Sequence, residues 1–271
     1  MQDWQDSWAC HSQHGFRRGH GCDDVILDVF TQMEDALMDG SPLYGLALDF
    51  AKCFDRVPQQ LTLQLLRDMG LHERILRPIE DMYARLVRRF QLPLGVGRPF
   101  KVTNGILQGC PLSVIFVNAL VAILLKEIRA SCPDTTTPAY ADDVHLLSRV
   151  SESHLEPCLR LTERFCDVTG MRLNEKKTLA YGSPDQYKGT LQSASGHVFT
   201  TVPKVNVLGA TMDTTRTMHS SSERLKKAIV MLQRLRATPL AFRETAQIIC
   251  EAILPAALCE APSPYNVPTN S

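Results

Sequence analysis

Two adjacent acidic residues, Asp142 and Asp143, stand inside an apolar run and are the pair best suited to chemistry. Residues 139–147 read Ala-Tyr-Ala-Asp-Asp-Val-His-Leu-Leu, which is typical of a strand on each side of the pair. An ionised carboxylate inside a sheet needs a partner, because an unpaired buried charge costs several kcal/mol. A hard cation, Mg²⁺ or Mn²⁺, is the usual partner. The alternative for this segment alone is a surface hairpin with the pair at its tip.

Two further segments favour the metal-dependent site over the surface hairpin. The apolar strand Leu46–Leu48 ends at Asp49, and a carboxylate at the end of a buried strand is often catalytic or metal-binding. Residues 105–113, Gly-Ile-Leu-Gln-Gly-Cys-Pro-Leu-Ser, predict a turn that leads into a long apolar helix. The chain therefore offers carboxylates on two separate strands and a turn that leads into a long helix.

Together these segments resemble motifs A, B and C of reverse transcriptases, and their motif sequences are most similar to those of the non-LTR retrotransposon branch. Motif A is Asp-(x)4-Phe-Asp from Asp49, motif B is Gln-Gly-Cys-Pro-Leu-Ser from Gln108, and motif C is Tyr-Ala-Asp-Asp from Tyr140. The resemblance covers roughly residues 13–258 in the family's order. The flanking matches are a finger segment at 13–17, motif D at 169–178, motif E at 207–209 and a thumb helix at 252–255.

The resemblance implies an RNA-directed DNA polymerase that transfers a nucleotide from a dNTP to a primer 3′-hydroxyl. Its partners would be an RNA template, a DNA primer and dNTPs, and its cofactor two Mg²⁺ ions, or Mn²⁺. Two cations about 4 Å apart need carboxylates from separate strands. Asp49 and Asp142 are the predicted shared ligands, and Asp143 is the adjacent third catalytic and metal-binding carboxylate.

Three residues are assigned to nucleotide binding by the resemblance. Phe54 lies five residues after Asp49 and would be the gate beneath the incoming sugar. A bulky ring there leaves no room for a 2′-hydroxyl and selects dNTP over rNTP. Gln108 and Gly109 would pack against the dNTP and the templating base.

Other residues near these motifs receive more local roles. Tyr140 would pack near the primer terminus. Lys177 would contact the phosphates or protonate the leaving group, with Lys176 as its rival in motif D. Asp55 is interpreted as a helix cap or structural partner, and His145 as a structural residue of the apolar strand.

Two alternative functions stay open. One is a catalytically silent, nucleic-acid-binding remnant of a reverse transcriptase. The other is an intron-maturase-like relative or an RNA-dependent RNA polymerase, although Phe54 argues against an RNA product. Because the resemblance begins only with the last part of the fingers, we expect residues 1–271 to give weak primer extension or none detectable.

The elements that must position these residues indicate an α+β fold. The resemblance specifies a right-hand polymerase fold with an antiparallel-sheet palm, partial fingers and a partial thumb. Helix and turn signals predict helices at about 59–69, 73–88, 111–129 and 223–237, a hairpin within 90–104, and a loop over 1–22. The predicted domains are a finger remnant (1–44), a palm (45–215) with a finger insertion (about 59–107), a partial thumb (216–260) and a disordered tail (261–271).

The charge distribution predicts a groove for a phosphate backbone. The chain carries 29 basic and 29 acidic residues, so its net charge is zero. Residues 82–126 nevertheless contain six basic residues and no acidic one, and residues 216–243 contain seven basic residues and one acidic one. Solvated helix faces are the alternative for each stretch. Around three Asp residues, the two stretches are interpreted as walls of the groove.

Cysteine use and hydropathy predict an intracellular protein, nuclear or cytoplasmic, without a membrane partner. The nine cysteines show no C-x-x-C spacing and are interpreted as reduced. Cys10, His11 and His14 are too sparse to predict a zinc site. The first residues lack the apolar segment of a signal peptide. The longest apolar stretch, Val114–Leu125, is shorter than a membrane span and predicts a buried helix.

Overall fold

Helices and strands follow one another in no regular alternation along this chain. The structure is a computed structural model, and it describes residues 2–93, 95–183, 189, 191–214, 230–235, 245, 248 and 249. The helices with assigned bounds are α1 (Gln2–Trp8), α2 (Cys22–Asp39), α3 (Cys53–Arg56), α4 (Gln59–Asp68), α5 (Glu73–Arg85), α6 (Pro111–Ser131) and α7 (Leu155–Thr169). The strands are β1 (Tyr44–Leu48), β2 (Val87–Arg88), β3 (Gln91–Leu92), β4 (Gly95–Val96), β5 (Phe100–Lys101), β6 (Ala139–Tyr140), β7 (Asp143–Ser148), β8 (Leu179–Gly182), β9 (Thr201–Val202), β10 (Lys204–Val207) and β11 (Ala210–Asp213). The predicted thumb lies mostly outside these residues, and the predicted tail lies wholly outside them.

A five-stranded sheet in the order β6-β7-β1-β8-β9 forms the centre of the fold. All neighbouring strands in it are antiparallel except β8 and β9, which are parallel. Side chains alternate between the two faces: Leu46 and Leu146 belong to one core, whereas Leu147 and Tyr181 belong to the other. The helices α4, α6 and α7 contribute to the first core, and α2 with the β10–β11 hairpin to the second. The predicted α+β class and the antiparallel-rich sheet are confirmed.

The helix α6 is the central element of the first core. It has 21 residues, more than the apolar stretch Val114–Leu125 predicted, and is long and apolar enough to cross a bilayer. In this fold, 67% of its most apolar stretch is buried inside the protein, as the prediction of a core helix required. The buried Asn118 uses its side-chain amide to donate a hydrogen bond of 2.7 Å to the Gly15 carbonyl. A polar group inside the apolar helix thus holds the segment around Gly15 in place.

The prediction of a loop over residues 1–22 was wrong at its start, where α1 forms. Trp4 and Trp8 are four residues apart and therefore share one face of this helix. Trp8 is buried, the two rings meet edge to face at 5.2 Å, and the Trp4 indole donates to the Met69 carbonyl at 2.7 Å. Two aromatic anchors stabilise a segment whose other residues are mostly polar.

The predicted hairpin within 90–104 is present and begins earlier than expected. The strands β2 and β5 pair antiparallel, as do β3 and β4 further along the same excursion. The rings of Phe90 and Phe100 stack at 5.0 Å. The strand β2 also explains why α5 ends at Arg85 rather than near residue 88. We refer to residues 87–101 as the hairpin arm.

His145 is a structural residue, as predicted. Its ring is 4% exposed, and its Nδ1 lies 3.0 Å from the Tyr181 hydroxyl across the sheet. Gly45 makes room for the Tyr181 ring, since a Cβ there would lie 2.5 Å from ring carbons. Burial lowers the pKa of His145 to about 4, so the ring is neutral in the folded protein at pH 7.

We expect this histidine to contribute to acid unfolding. Its folded pKa of about 4 lies below the ordinary value of 6.5, so its stabilising effect is complete above pH 6.5 and is lost as the pH falls to 4. This titration lowers the free energy of unfolding by about 3 kcal/mol between pH 6.5 and pH 4. Urea unfolding between pH 7 and 4 should show a weaker pH dependence for His145→Gln than for the wild type. The exposed His11, changed to Gln, is the matched control, and equal pH dependence in both variants would contradict this expectation.

Candidate active site

The turn between β6 and β7 presents the two adjacent carboxylates. Tyr140 pairs with Asp143, so Ala141 and Asp142 form a two-residue turn. Ala141 has φ +54°, a left-handed conformation that is unfavourable for a residue with a Cβ. Gln13 holds this turn, because its Oε1 accepts from the Ala141 N–H at 2.8 Å and its Nε2 donates to the Ala141 carbonyl at 2.9 Å.

Gly15 packs directly against the backbone of the same turn. A Cβ on Gly15 would lie 2.3 Å from the Ala141 nitrogen, so only glycine allows this approach. The segment around Gln13 and Gly15 therefore fixes where Asp142 and Asp143 stand.

Asp49 comes to the same end of the sheet through the register of β1 and β7. Leu48, the last residue of β1, pairs with Val144, so one residue further Asp49 lies across from Asp143. The charge of Asp49 acts on both Asp142 and Asp143. The structure thus brings the three predicted carboxylates together.

Burial and mutual repulsion raise the pKa values in this cluster. The pKa of Asp142 is raised, first by burial and then by the charge of Asp49, while a hydrogen bond from the Cys53 thiol acts in the opposite direction. Part of Asp143 reaches solvent, yet burial among neighbouring atoms and the charges of Asp142 and Asp49 raise its pKa to about 6. Three crowded carboxylates supply the oxygen ligands that Mg²⁺ and Mn²⁺ prefer, and a cation would relieve their repulsion. This donor set fits a divalent metal.

A cavity of about 540 Å³ is lined by two of the predicted nucleotide-binding residues, Phe54 and Gly109. Phe54 follows Cys53, whose thiol contacts Asp142. The motif B segment is tied beside it, since the Ile106 N–H donates to the Phe54 carbonyl at 2.8 Å. The other lining residues are Gln5, Phe16, Cys110, Pro111, Val114 and Ile115.

Gly109 and Gln108 form the turn that precedes α6. Gly109 has φ +81°, a conformation that favours glycine, and a Cβ there would meet only open space. Gln108 is exposed in the same turn and is not among the residues that line the cavity. The turn is therefore open to a ligand approaching from solvent.

The remaining predicted site residues lie at the edges of the cluster. The ring of Tyr140 packs on Phe16 at a centroid distance of 5.4 Å. Burial and the nearby Cys22 thiol raise the pKa of Tyr140. Lys176 and Lys177 are both exposed, and the Lys177 backbone N–H closes a turn on the Asn174 carbonyl at 3.0 Å.

Comparison with known proteins identifies the family. Residues 2–212 match the model of the family described as "Reverse transcriptase (RNA-dependent DNA polymerase)". The chain belongs to the reverse transcriptase family. This confirms the resemblance that the motifs suggested. The chain is also 27% identical over 170 residues to the "Transposon TX1 uncharacterized 149 kDa protein" of Xenopus laevis, which supports the non-LTR branch.

Solved structures of telomerases share the fold of this reverse transcriptase chain. The telomerase of Candida albicans, in complex with a TWJ fragment of telomeric RNA, has a TM-score of 0.54 at 15% identity, over 87% of this chain and 42% of that one. The apo telomerase of Candida tropicalis has a TM-score of 0.54 at 15% identity, over 74% and 36%. The match to the transposon protein of Xenopus laevis covers 58% of this chain and 12% of that protein's length.

Three residues of this reverse transcriptase site were missed in the sequence. Asn174 donates a hydrogen bond of 2.8 Å to the Asp49 carboxylate, and its backbone N–H donates to the Asp49 carbonyl at 2.7 Å. Cys53 donates to Asp142, and burial together with the Asp142 charge raises the pKa of its thiol, which therefore stays protonated. Gln13 holds the Asp-Asp turn. Asn174 lies within the quoted motif D, where its position after the alternating Met171–Leu173 segment was the available signal.

We expect Asn174→Ala to slow primer extension by about 10–100-fold, because hydrogen bonds to metal-binding carboxylates orient their oxygens. The apparent affinity for Mg²⁺ should fall with it. Gln64→Ala is the matched control, since it removes an exposed side-chain amide on α4 that donates to another carboxylate, Asp68, at 2.8 Å. Titration of the extension rate with Mg²⁺ measures both quantities. An unchanged Mg²⁺ dependence in Asn174→Ala would contradict the positioning role.

Proposed function

We propose that this chain carries out RNA-templated DNA synthesis. The observation that supports the proposal most strongly is the clustering of Asp49 with Asp142 and Asp143 at one end of the sheet, in a chain of the reverse transcriptase family. The substrates would be an RNA template, a DNA primer and a dNTP. The family and a telomerase neighbour solved with an RNA fragment support a nucleic-acid template.

In this reaction, the primer 3′-oxygen attacks the α-phosphorus of the dNTP. The bond from the α-phosphorus to the bridging oxygen breaks, and pyrophosphate leaves. Asp49 and Asp142, with Asp143 as a third carboxylate, would hold two Mg²⁺ ions, or Mn²⁺. When bound, such ions stabilise the attacking and leaving oxygens. Asn174 and Cys53 orient the carboxylates, and Lys177 is assigned to the pyrophosphate side, where it would donate a proton.

The other predicted site residues are assigned to parts of the substrates. Phe54 would lie under the sugar, and Gln108 and Gly109 would approach the base pair. Tyr140 would lie near the primer terminus. We assign residues 45–215 to the palm, with a finger insertion at about 59–107, after a finger remnant at 1–44. The remaining assignment is an intracellular location, nuclear or cytoplasmic; the predicted partial thumb at 216–260 lies mostly, and the predicted tail at 261–271 wholly, outside the described residues.

Primer extension tests this proposal. A labelled DNA primer on an RNA template is incubated with the chain, Mg²⁺ and a single dNTP. The complementary dNTP should give a product one nucleotide longer, and the three mismatched dNTPs should give far less. Binding of primer–template without any extension would instead support the catalytically silent remnant.

The sugar gate gives a prediction of its own. We expect Phe54→Ala to raise rNTP incorporation relative to dNTP by about 10–200-fold, because one steric group in a pocket is worth roughly 1–3 kcal/mol. Phe50→Leu, which changes a ring in the core outside the cavity, is the control. Single-nucleotide extension with matched dNTP and rNTP measures the ratio. An unchanged ratio in an active Phe54→Ala variant would make Phe54 an ordinary packing residue.

A further inference from the structure

A second group of metal-ligating side chains lies away from the three aspartates, between the segment after Gln13 and the start of α2. It consists of His14, His20 and Asp24. Two ring nitrogens, Nδ1 of His14 and Nδ1 of His20, face each other at 3.1 Å. Both also face Oδ2 of Asp24, at 4.0 and 3.6 Å respectively. His14 is 6% exposed, so its ring is held by the protein interior.

The hydrogen bonding of His14 assigns its tautomer. Its Nε2 lies 3.1 Å from Oδ2 of Asp28. An ionised carboxylate only accepts hydrogen bonds, so Nε2 of His14 carries the hydrogen. In the neutral ring, Nδ1 then presents a bare lone pair to His20 and Asp24. A carboxylate behind a histidine that leaves the opposite nitrogen free is the usual second layer of a metal site.

The spacing of the three facing atoms matches a transition metal. The separations of 3.1, 3.6 and 4.0 Å lie around the roughly 3.4 Å that separates two ligands of a tetrahedral Zn²⁺ with bonds of about 2.1 Å. Asp24 is already fixed in orientation, because its Oδ2 accepts from the Gly21 N–H at 2.7 Å. The same oxygen has a second lone pair available for a metal.

We propose that His14 Nδ1, His20 Nδ1 and Asp24 Oδ2 bind a Zn²⁺ ion, with water in the fourth position. Two imidazoles favour Zn²⁺ over Mg²⁺, whereas the three aspartates offer oxygen alone and favour Mg²⁺. The ion would tie the segment at residues 14–20 to the first turn of α2. His14 and His20 do match the H-x₃₋₅-H spacing, but no C-x-x-C pair accompanies them and the third ligand is an aspartate, which is why the sequence did not predict the site.

The position of this site connects it to the catalytic turn. Its ligand His14 lies between Gln13 and Gly15, the two residues that hold and support Ala141. The next residue, Phe16, packs on Tyr140. Zn²⁺ would therefore rigidify the segment on which the Asp142–Asp143 turn rests.

Metal titration of the full chain tests the proposal. Metal-free protein in the Asp142→Asn background, which weakens the aspartate site, is titrated with Zn²⁺ by calorimetry. We expect one tight equivalent, weakened at least 100-fold by His20→Asn and unchanged by the exposed-residue control His11→Asn. Asp28→Asn, which keeps all three ligands, should weaken binding by about 10–100-fold.

Two further measurements locate the ion. Co²⁺ should give visible bands without the near-ultraviolet absorption of cobalt–thiolate bonds, because no cysteine is among the ligands. Hydrogen exchange in residues 14–24 should slow on addition of Zn²⁺. The proposal is overturned if no tight equivalent binds, if folded His20→Asn binds Zn²⁺ as the parent does, or if thiolate absorption accompanies Co²⁺; in the last case cysteines hold the metal.

Discussion

Replacement of Asp142 by Asn is expected to lower the rate of primer extension by about 10³-fold or more. The substitution keeps the size of the side chain and the hydrogen bond with Cys53, but it removes a charge that two cations would share. Asp49→Asn should have an effect of similar size. The double variant should be little worse than either single one, because residues that act as one unit lose their contribution together.

The control for these variants is Asp81→Asn, since Asp81 is exposed on α5, where its carboxylate lies 3.7 Å from the Arg85 guanidinium. Single-turnover extension of a labelled primer measures all the rates. Primer–template affinity is measured separately, so that a binding defect is not mistaken for lost chemistry. Wild-type extension by Asp142→Asn would contradict the role of the carboxylates.

Nucleic-acid binding should be strongly salt-dependent. About half a dozen phosphate contacts make the affinity fall by about 10³-fold between 50 and 200 mM salt. Within the predicted groove, the hairpin arm carries Arg89, Arg98 and Lys101, which are exposed and form no ion pair with any described residue. Arg88 instead lies 4.0 Å from the Asp55 carboxylate, and the role of Asp55 as a helix cap or structural partner stays a prediction.

A triple substitution distinguishes direct contact of the hairpin arm with the phosphate backbone from a general effect of surface charge on binding. Changing Arg89, Arg98 and Lys101 to Ala should reduce the slope of log affinity against log salt by about 3, or 0.9 per lost contact. The matched control is a triple Ala variant of the exposed Arg74, Arg129 and Arg164 on other elements. Fluorescence anisotropy of labelled primer–template across the salt series gives both slopes. Equal slopes for the two triple variants would mean that the arm does not contact the backbone.

Local patterns predicted most of the fold. The short apolar runs of β1 and β7 and the glycine turn before α6 act over a few residues, so they are visible in the sequence. What failed was α1, whose helix depends on two tryptophans packing on distant parts of the chain. The parallel pairing of β8 with β9 also lacked a local signal, because partner choice is decided by the assembled sheet.

The candidate site likewise contains residues that short motifs predict and residues whose contacts depend on the folded chain. The three aspartates stand in short motifs and were predicted directly, together with Phe54 and Gly109. Their supporting contacts are long-range: Asn174 reaches Asp49 over 125 residues and Gln13 reaches Ala141 over 128. No spacing in one sequence reveals a hydrogen bond between residues so far apart. Such contacts become visible only when the strands are placed side by side.

The measurement that tests the central claim most directly is the number of Mn²⁺ ions bound beside the primer terminus. The chain, with primer–template and a matched dNTP on a primer lacking its 3′-hydroxyl, is titrated with Mn²⁺ and followed by electron paramagnetic resonance. Two ions about 4 Å apart should appear in the wild type as a spin-coupled pair. That pair should be absent from the Asp49→Asn/Asp142→Asn variant. An identical signal in both proteins would contradict a metal site formed by Asp49, Asp142 and Asp143.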